Sequence, residues 1–113
     1  MKPGGTHLLI EYYGCPQELL NTPEILEQAL RDASDAAGTE VIGVSGHAFE
    51  PEGVTLIALL RESHISMHTW PAEGYAAADI FTCGAHTRPY AAHEVLRRAL
   101  GAQRFQCREH RRG

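Results

Sequence analysis

VTLIALLRE at positions 54–62, SHISMHTW at 63–70 and YAAADIFTC at 75–83 follow one another, with only Pro71-Ala72-Glu73-Gly74 between the last two. The runs are short, apolar and largely aliphatic, β-branched or aromatic, and breakers close them at Pro71 and Gly84, so the stretch reads as consecutive antiparallel strands. Before it, Glu40–Phe49 is another strand, joined to Val54 by Pro51-Glu52-Gly53 as a hairpin connection. His7–Tyr13 is the first strand, ended by Gly14-Cys15-Pro16. Thr22 before Pro23 starts a helix, with a hydroxyl at the cap and proline where its missing N–H costs nothing. Leu26, Ala29, Leu30, Ala33 and Ala37 give that helix one apolar face, and Gly38 stops it. From Pro89, the positions Ala92, Val95, Leu96, Ala99 and Leu100 mark a second amphipathic helix ended by Gly101, and Gln103–Cys107 is a last short strand.

This order predicts an α+β two-layer sandwich in one domain, residues 1–113, with helices on one face of an antiparallel sheet. Two helices with one-sided apolar stripes cover only one face. The other face calls for a partner, and sheet packing across a dimer is the expectation.

With 113 residues and 43% hydrophobic content there is material for one core. A net charge of −4 and a pI near 5.9 offer no general attraction for nucleic acid or an anionic membrane surface. Arg104, Arg108, Arg111 and Arg112 cluster at the end, but Glu109 interrupts them and a frayed, solvated tail is expected. The apolar run near the start is too short, and too soon broken by Glu11, for a signal or spanning segment, so a cytoplasmic protein is expected. Cys15, Cys83 and Cys107 form no CxxC pair, which suits a reducing compartment.

The chemistry-bearing segment is Glu62-Ser63-His64-Ile65-Ser66-Met67-His68-Thr69-Trp70-Pro71, and three readings are open to it. Its hydroxyls and imidazoles could simply line the wet side of a strand. His64 and His68 share a strand face and could hold a metal with Cys83 or Asp79 as a third ligand, although nothing in the spacing places that ligand. Ser63 could act as a nucleophile with His68 as its base. In a regular strand those two point to opposite faces, so this third reading requires a turn or bulge near Ser63.

ESHISMHTWP, followed by GYAAADIFTCG and preceded by HAFEPEGVT, resembles the small prokaryotic S-adenosylmethionine decarboxylase proenzymes, and the likeness extends from HLLIEYYGC to REHRRG. The resemblance implies self-cleavage between Glu62 and Ser63 into fragments 1–62 and 63–113. Ser63 would attack the Glu62 carbonyl and turn the peptide into an ester. His68 is implicated in removing the α-proton, and elimination would leave a dehydroalanine that hydrolyses to a covalent pyruvoyl group. That ketone is the electron sink an amino-acid decarboxylation needs. Cys83 matches the family's proton donor; its alternative is a buried apolar cysteine. Thr55 falls where the family usually has a serine that assists processing, Phe49 matches the aromatic under the substrate adenine or is a core residue, and Glu11 matches an acidic position near the active site. No metal ligand is implied.

One departure bears on substrate. The family pattern is Trp-Pro-Glu, the carboxylate serving the ribose hydroxyls, whereas this chain reads Trp70-Pro71-Ala72-Glu73. On a strand, a shift by one residue turns a side chain to the other face. Either Glu73 takes the role through a local turn, or nucleoside recognition is lost. The implied activity is decarboxylation of S-adenosylmethionine for polyamine synthesis. The alternatives are ornithine or arginine decarboxylation on the same scaffold, and an unprocessed chain that regulates an active paralogue.

Overall fold

The computed structural model describes residues 3–113. Six strands form one antiparallel sheet in the order β2-β3-β4-β5-β1-β6, from β1 (Gly5–Tyr13), β2 (Val41–Ala48), β3 (Val54–Leu60), β4 (Ser63–Trp70), β5 (Tyr75–Cys83) and β6 (Arg104–Arg112). Three helices lie against it: α1 (Gln17–Leu20), α2 (Pro23–Ala37) and α3 (Pro89–Ala99). The α+β two-layer architecture read from the sequence is the one observed.

Strand alternation divides the sheet into two unlike faces. One carries Leu8, Ile10, Tyr12, Leu56, Ala58, Ile65, Met67, Ala78 and Ile80, all buried against Leu26, Leu30, Ala33, Ala92 and Leu96 of the helices. The opposite face carries no helix among the described residues. It displays His64, Ser66, His68 and Trp70 from β4, Thr55, Ile57 and Leu59 from β3, and Leu9 from β1; Leu9, Ile57, Leu59 and Trp70 are 42–55% exposed.

The helix α2 begins at Pro23 and ends where Gly38, at φ 76°, lets its own N–H and that of Thr39 turn back to the carbonyls of Asp35 and Ser34. Thr22 is the N-cap residue, but its hydroxyl donates to Glu18 O at 2.7 Å rather than capping α2, because the short helix α1 puts that carbonyl within reach.

Two boundaries differ from the sequence expectation. The strand from Val54 ends at Leu60, and Arg61-Glu62 form a two-residue turn pairing Leu60 with Ser63. The tail is ordered rather than frayed: β6 runs to Arg112 and pairs with β1 throughout, from Tyr13↔Arg104 to Gly5↔Arg112. Two of its arginines stand on flat neighbours, Arg104 5.0 Å from the Tyr13 ring centre and Arg112 4.7 Å from that of Phe81, and as an edge strand it keeps its charges in solvent. No described helix is long and apolar enough to cross a membrane.

Candidate active site

The break near Ser63 that the nucleophile reading required is present. Glu62 has φ 78°, and among the described residues no other non-glycine residue adopts positive φ. A glutamate held in the left-handed region is strained, and the strain lies at the residue supplying the carbonyl next to Ser63. At this hairpin end Ser63 Oγ lies 3.5 Å from Cys83 Sγ, within hydrogen-bonding range for sulfur. A cavity of about 520 Å³ adjoins the pair, with Glu62, Phe81, Cys83 and Arg112 in its wall. Cys83 is half-buried, so it is not the buried apolar cysteine that was its alternative.

His68 lies elsewhere. It pairs with Thr55 across β3–β4, and its Nδ1 is 3.0 Å from Thr55 Oγ1. It stands five residue steps along β4 from Ser63, about 16 Å at the usual rise. The chain thus holds two candidate half-sites, Ser63 with Cys83 at one end of β4 and Thr55 with His68 towards the other.

The second half-site opens into a cavity of about 440 Å³ whose lining includes Phe49, Glu52, Thr55, His68, Trp70 and Glu73. Phe49 is 48% exposed, which excludes the core reading. Glu73 also faces the cavity. Residues 71–73 are a 3₁₀ turn rather than strand, so moving the carboxylate by one position does not send it to the far side of the sheet. Glu11 joins neither half-site directly: it accepts a hydrogen bond from Tyr75 Oη at 2.8 Å, and Tyr75 lies against Trp70 with ring centres 5.3 Å apart. Burial and the Glu11 bond push the Tyr75 phenol up to about 12.

The histidine metal set is corrected as well. His64 and His68 do not converge, standing four residue steps, about 13 Å, apart along the strand. Instead His64 Nε2 and His7 Nε2 each lie 2.7 Å from Asp79 Oδ2, and Ser66 donates to Asp79 Oδ1. Arg112 donates to His7 Nδ1 at 3.4 Å, which puts the ring proton on Nε2, where Asp79 accepts it. Burial alone would raise the Asp79 carboxyl, but the bonds from Ser66, His7 and His64 outweigh it and hold the carboxyl below its ordinary value. Sequence reading missed His7, Glu52 and Arg112. The outer-face parity of His7 and Asp79 was the available signal for the first, and only the fold brings the other two into place.

Fold and site together define a class: a two-layer α+β domain whose candidate serine, thiol and imidazole sit on the sheet face or edge left free by the helices. The S-adenosylmethionine decarboxylase family model matches residues 6–113. The chain belongs to that family. It is 48% identical over 108 residues to the S-adenosylmethionine decarboxylase proenzyme of Parasynechococcus marenigrum (strain WH8102), covering 96% of this chain and 84% of the relative. It is 43% identical to that of Methanococcus aeolicus, covering 100% and 97%. The adenosylmethionine decarboxylase crystal structure from Aquifex aeolicus VF5 superposes with a TM-score of 0.88 at 32% identity, over 97% of this chain and 91% of that one.

Proposed function

We propose that the chain is a self-processing decarboxylase that converts S-adenosylmethionine to its decarboxylated form and carbon dioxide, using a pyruvoyl group made from Ser63, and that its active site is completed between two copies. The observation that carries this reading is the paired geometry: a strained Glu62 ahead of Ser63, with Cys83 3.5 Å from the serine oxygen.

Cleavage follows from those groups. Ser63 Oγ adds to the Glu62 carbonyl carbon, and the peptide nitrogen is released as the Ser63 amine, relieving the backbone at Glu62. Loss of the Ser63 α-proton and of the Cβ–O bond frees Glu62 as a carboxylate, and water removes the nitrogen of residue 63 as ammonia. The resulting carbonyl fits the half-site, with a thiol in reach and a cavity beside it; it supplies the electron-accepting group that amino-acid decarboxylation requires. Cys83 holds the proton to be returned to the substrate carbon.

A base for the α-proton is the missing part within one chain. His68 shares a hydrogen bond between Nδ1 and Thr55 Oγ1 on the helix-free face, and in the tautomer protonated on Nδ1 its Nε2 is the basic nitrogen. A two-fold axis lying between two stacked sheets, crossing the strands midway between Ser63 and His68, sets Thr55–His68 of each copy against Ser63–Cys83 of the other. Exposed Leu9, Ile57 and Leu59 on that face favour such stacking. The homodimer is thus part of the enzyme, and its substrate lies between the two half-sites.

The test is carbon dioxide release from carboxyl-labelled S-adenosylmethionine, ornithine and arginine by the purified protein. Release from S-adenosylmethionine in preference to the other two is expected. Release from ornithine or arginine instead refutes the substrate assignment, and release from none refutes the activity.

A further inference from the structure

The half-site containing His68 holds a carboxylate that its role in processing leaves unused. Glu52 Oε1 accepts a hydrogen bond from the backbone N–H of Ala72 at 2.8 Å, across the cavity that Phe49 and Trp70 flank. Its other oxygen is only loosely engaged, 3.4 Å from Gln17 Nε2. Glu52 is half-buried, whereas Glu73 is exposed and, among the described residues, receives no hydrogen bond. Among the described residues no lysine or arginine lines this cavity, and its two carboxylates face no cationic side chain of those residues there.

The loop bearing Glu52 is pinned on both sides. Phe49 N–H donates to Gly53 O at 2.8 Å, and Gly53 N–H donates to Asn21 Oδ1 at 3.0 Å. Gly53 has φ 105°, and a Cβ there would come within 3.2 Å of Thr69 O, so the close approach of loop to sheet depends on glycine. Glu52 is therefore preorganised, and a fixed carboxylate loses less entropy on binding than the free Glu73 side chain.

We infer that Glu52 is the specificity-determining carboxylate of the substrate site, accepting the hydroxyl hydrogens of the ribose diol while Phe49 and Trp70 offer faces to the base. This inference rests on the proposed decarboxylation of S-adenosylmethionine and deepens it. The chemistry matches that substrate's non-reacting part: a flat base, a vicinal diol able to donate two O–H bonds, and a sulfonium cation favoured by an acidic cavity. A carboxylate oxygen has two acceptor sites, so the Ala72 N–H leaves Glu52 capacity for both hydroxyls. Ala72 lines the same cavity, so a carboxylate placed at position 72 would start from the same wall as Glu52.

The experiment measures chain cleavage, kcat and KM for S-adenosylmethionine in wild type, Glu52→Gln, Glu73→Gln and the double variant Glu52→Gln/Ala72→Glu. Loss of a charge-assisted pair predicts a KM about tenfold to hundredfold higher for Glu52→Gln, with cleavage intact and kcat little changed. Glu73→Gln should shift KM less than about threefold, and Ala72→Glu should recover most of the loss. An unchanged KM in Glu52→Gln, a larger loss in Glu73→Gln, or a double variant no better than the single overturns the assignment. If Glu52→Gln fails to cleave and the double variant also fails, Glu52 is a structural tether and the assignment falls. A wild type that cleaves but does not turn over S-adenosylmethionine refutes the underlying activity instead.

Discussion

If Ser63–Cys83 of one copy works with Thr55–His68 of the other, two inactive variants should restore each other. Ser63→Ala removes the nucleophile but keeps His68; His68→Ala removes the base but keeps Ser63. Within a chain the two residues stand about 16 Å apart along β4, several times a proton-transfer distance, so neither variant alone cleaves at the wild-type rate. Co-expression at equal levels with random pairing makes about half the dimers mixed, and each mixed dimer holds one complete site. About half of the His68→Ala chains should then be cut, all Ser63→Ala chains should remain whole, and turnover should be about one quarter of wild type. Differently tagged chains, two-step purification of the mixed dimer and intact mass give the readout. A mixed dimer with no cut His68→Ala chain refutes the shared site, as does a purified monomer that cleaves at the wild-type rate.

Cys83→Ala should leave chain cleavage largely intact while lowering turnover about a hundredfold or more, the scale of a lost acid catalyst; wild-type carbon dioxide release would remove Cys83 from the reaction. Thr69 Oγ1 donates to Leu20 O at 2.7 Å and accepts from Val54 N–H at 2.9 Å, so Thr69→Val orphans two buried backbone groups. Each costs about 1–3 kcal/mol, and urea titration of the uncleaved Ser63→Ala background should show the midpoint fall; an unchanged midpoint refutes this role. Burial lowers the His93 pKa, and Nδ1 of the ring lies 2.7 Å from Tyr12 Oη, so the folded state holds the ring neutral while the unfolded chain protonates it. Stability should therefore fall as pH drops below about 6.5, and His93→Asn should lose less over that window; equal losses from pH 7 to pH 5 contradict the reading.

The helices were legible because local rules and packing agree there: Pro23 and Gly38 bound α2, and its apolar spacing is the face it buries. The turn at Arg61-Glu62 was not legible from its own residues, since neither is a usual turn former and the strand was read through to Glu62; the fold imposes positive φ on a glutamate. The strand β6 was hidden by its charges. Arg104 and Arg112 look like a solvated tail until pairing with β1 sets Arg104 over the Tyr13 ring and Arg112 over that of Phe81. At the site, Ser63, His68, Thr55 and Cys83 were each singled out from the sequence, but their division into two half-sites is a matter of strand register. Glu52 escaped because its significance lies in a hydrogen bond to residue 72, twenty positions away.

Intact mass of purified wild-type protein beside Ser63→Ala bears on the manufacture of the carbonyl more directly than any rate. Two chains are expected from the wild type, 1–62 ending in a free carboxylate and 63–113 beginning with a pyruvoyl group and refractory to Edman sequencing, against a single intact chain from the variant. A folded wild-type protein that stays in one piece, or a second fragment that begins with an ordinary serine, would contradict the account.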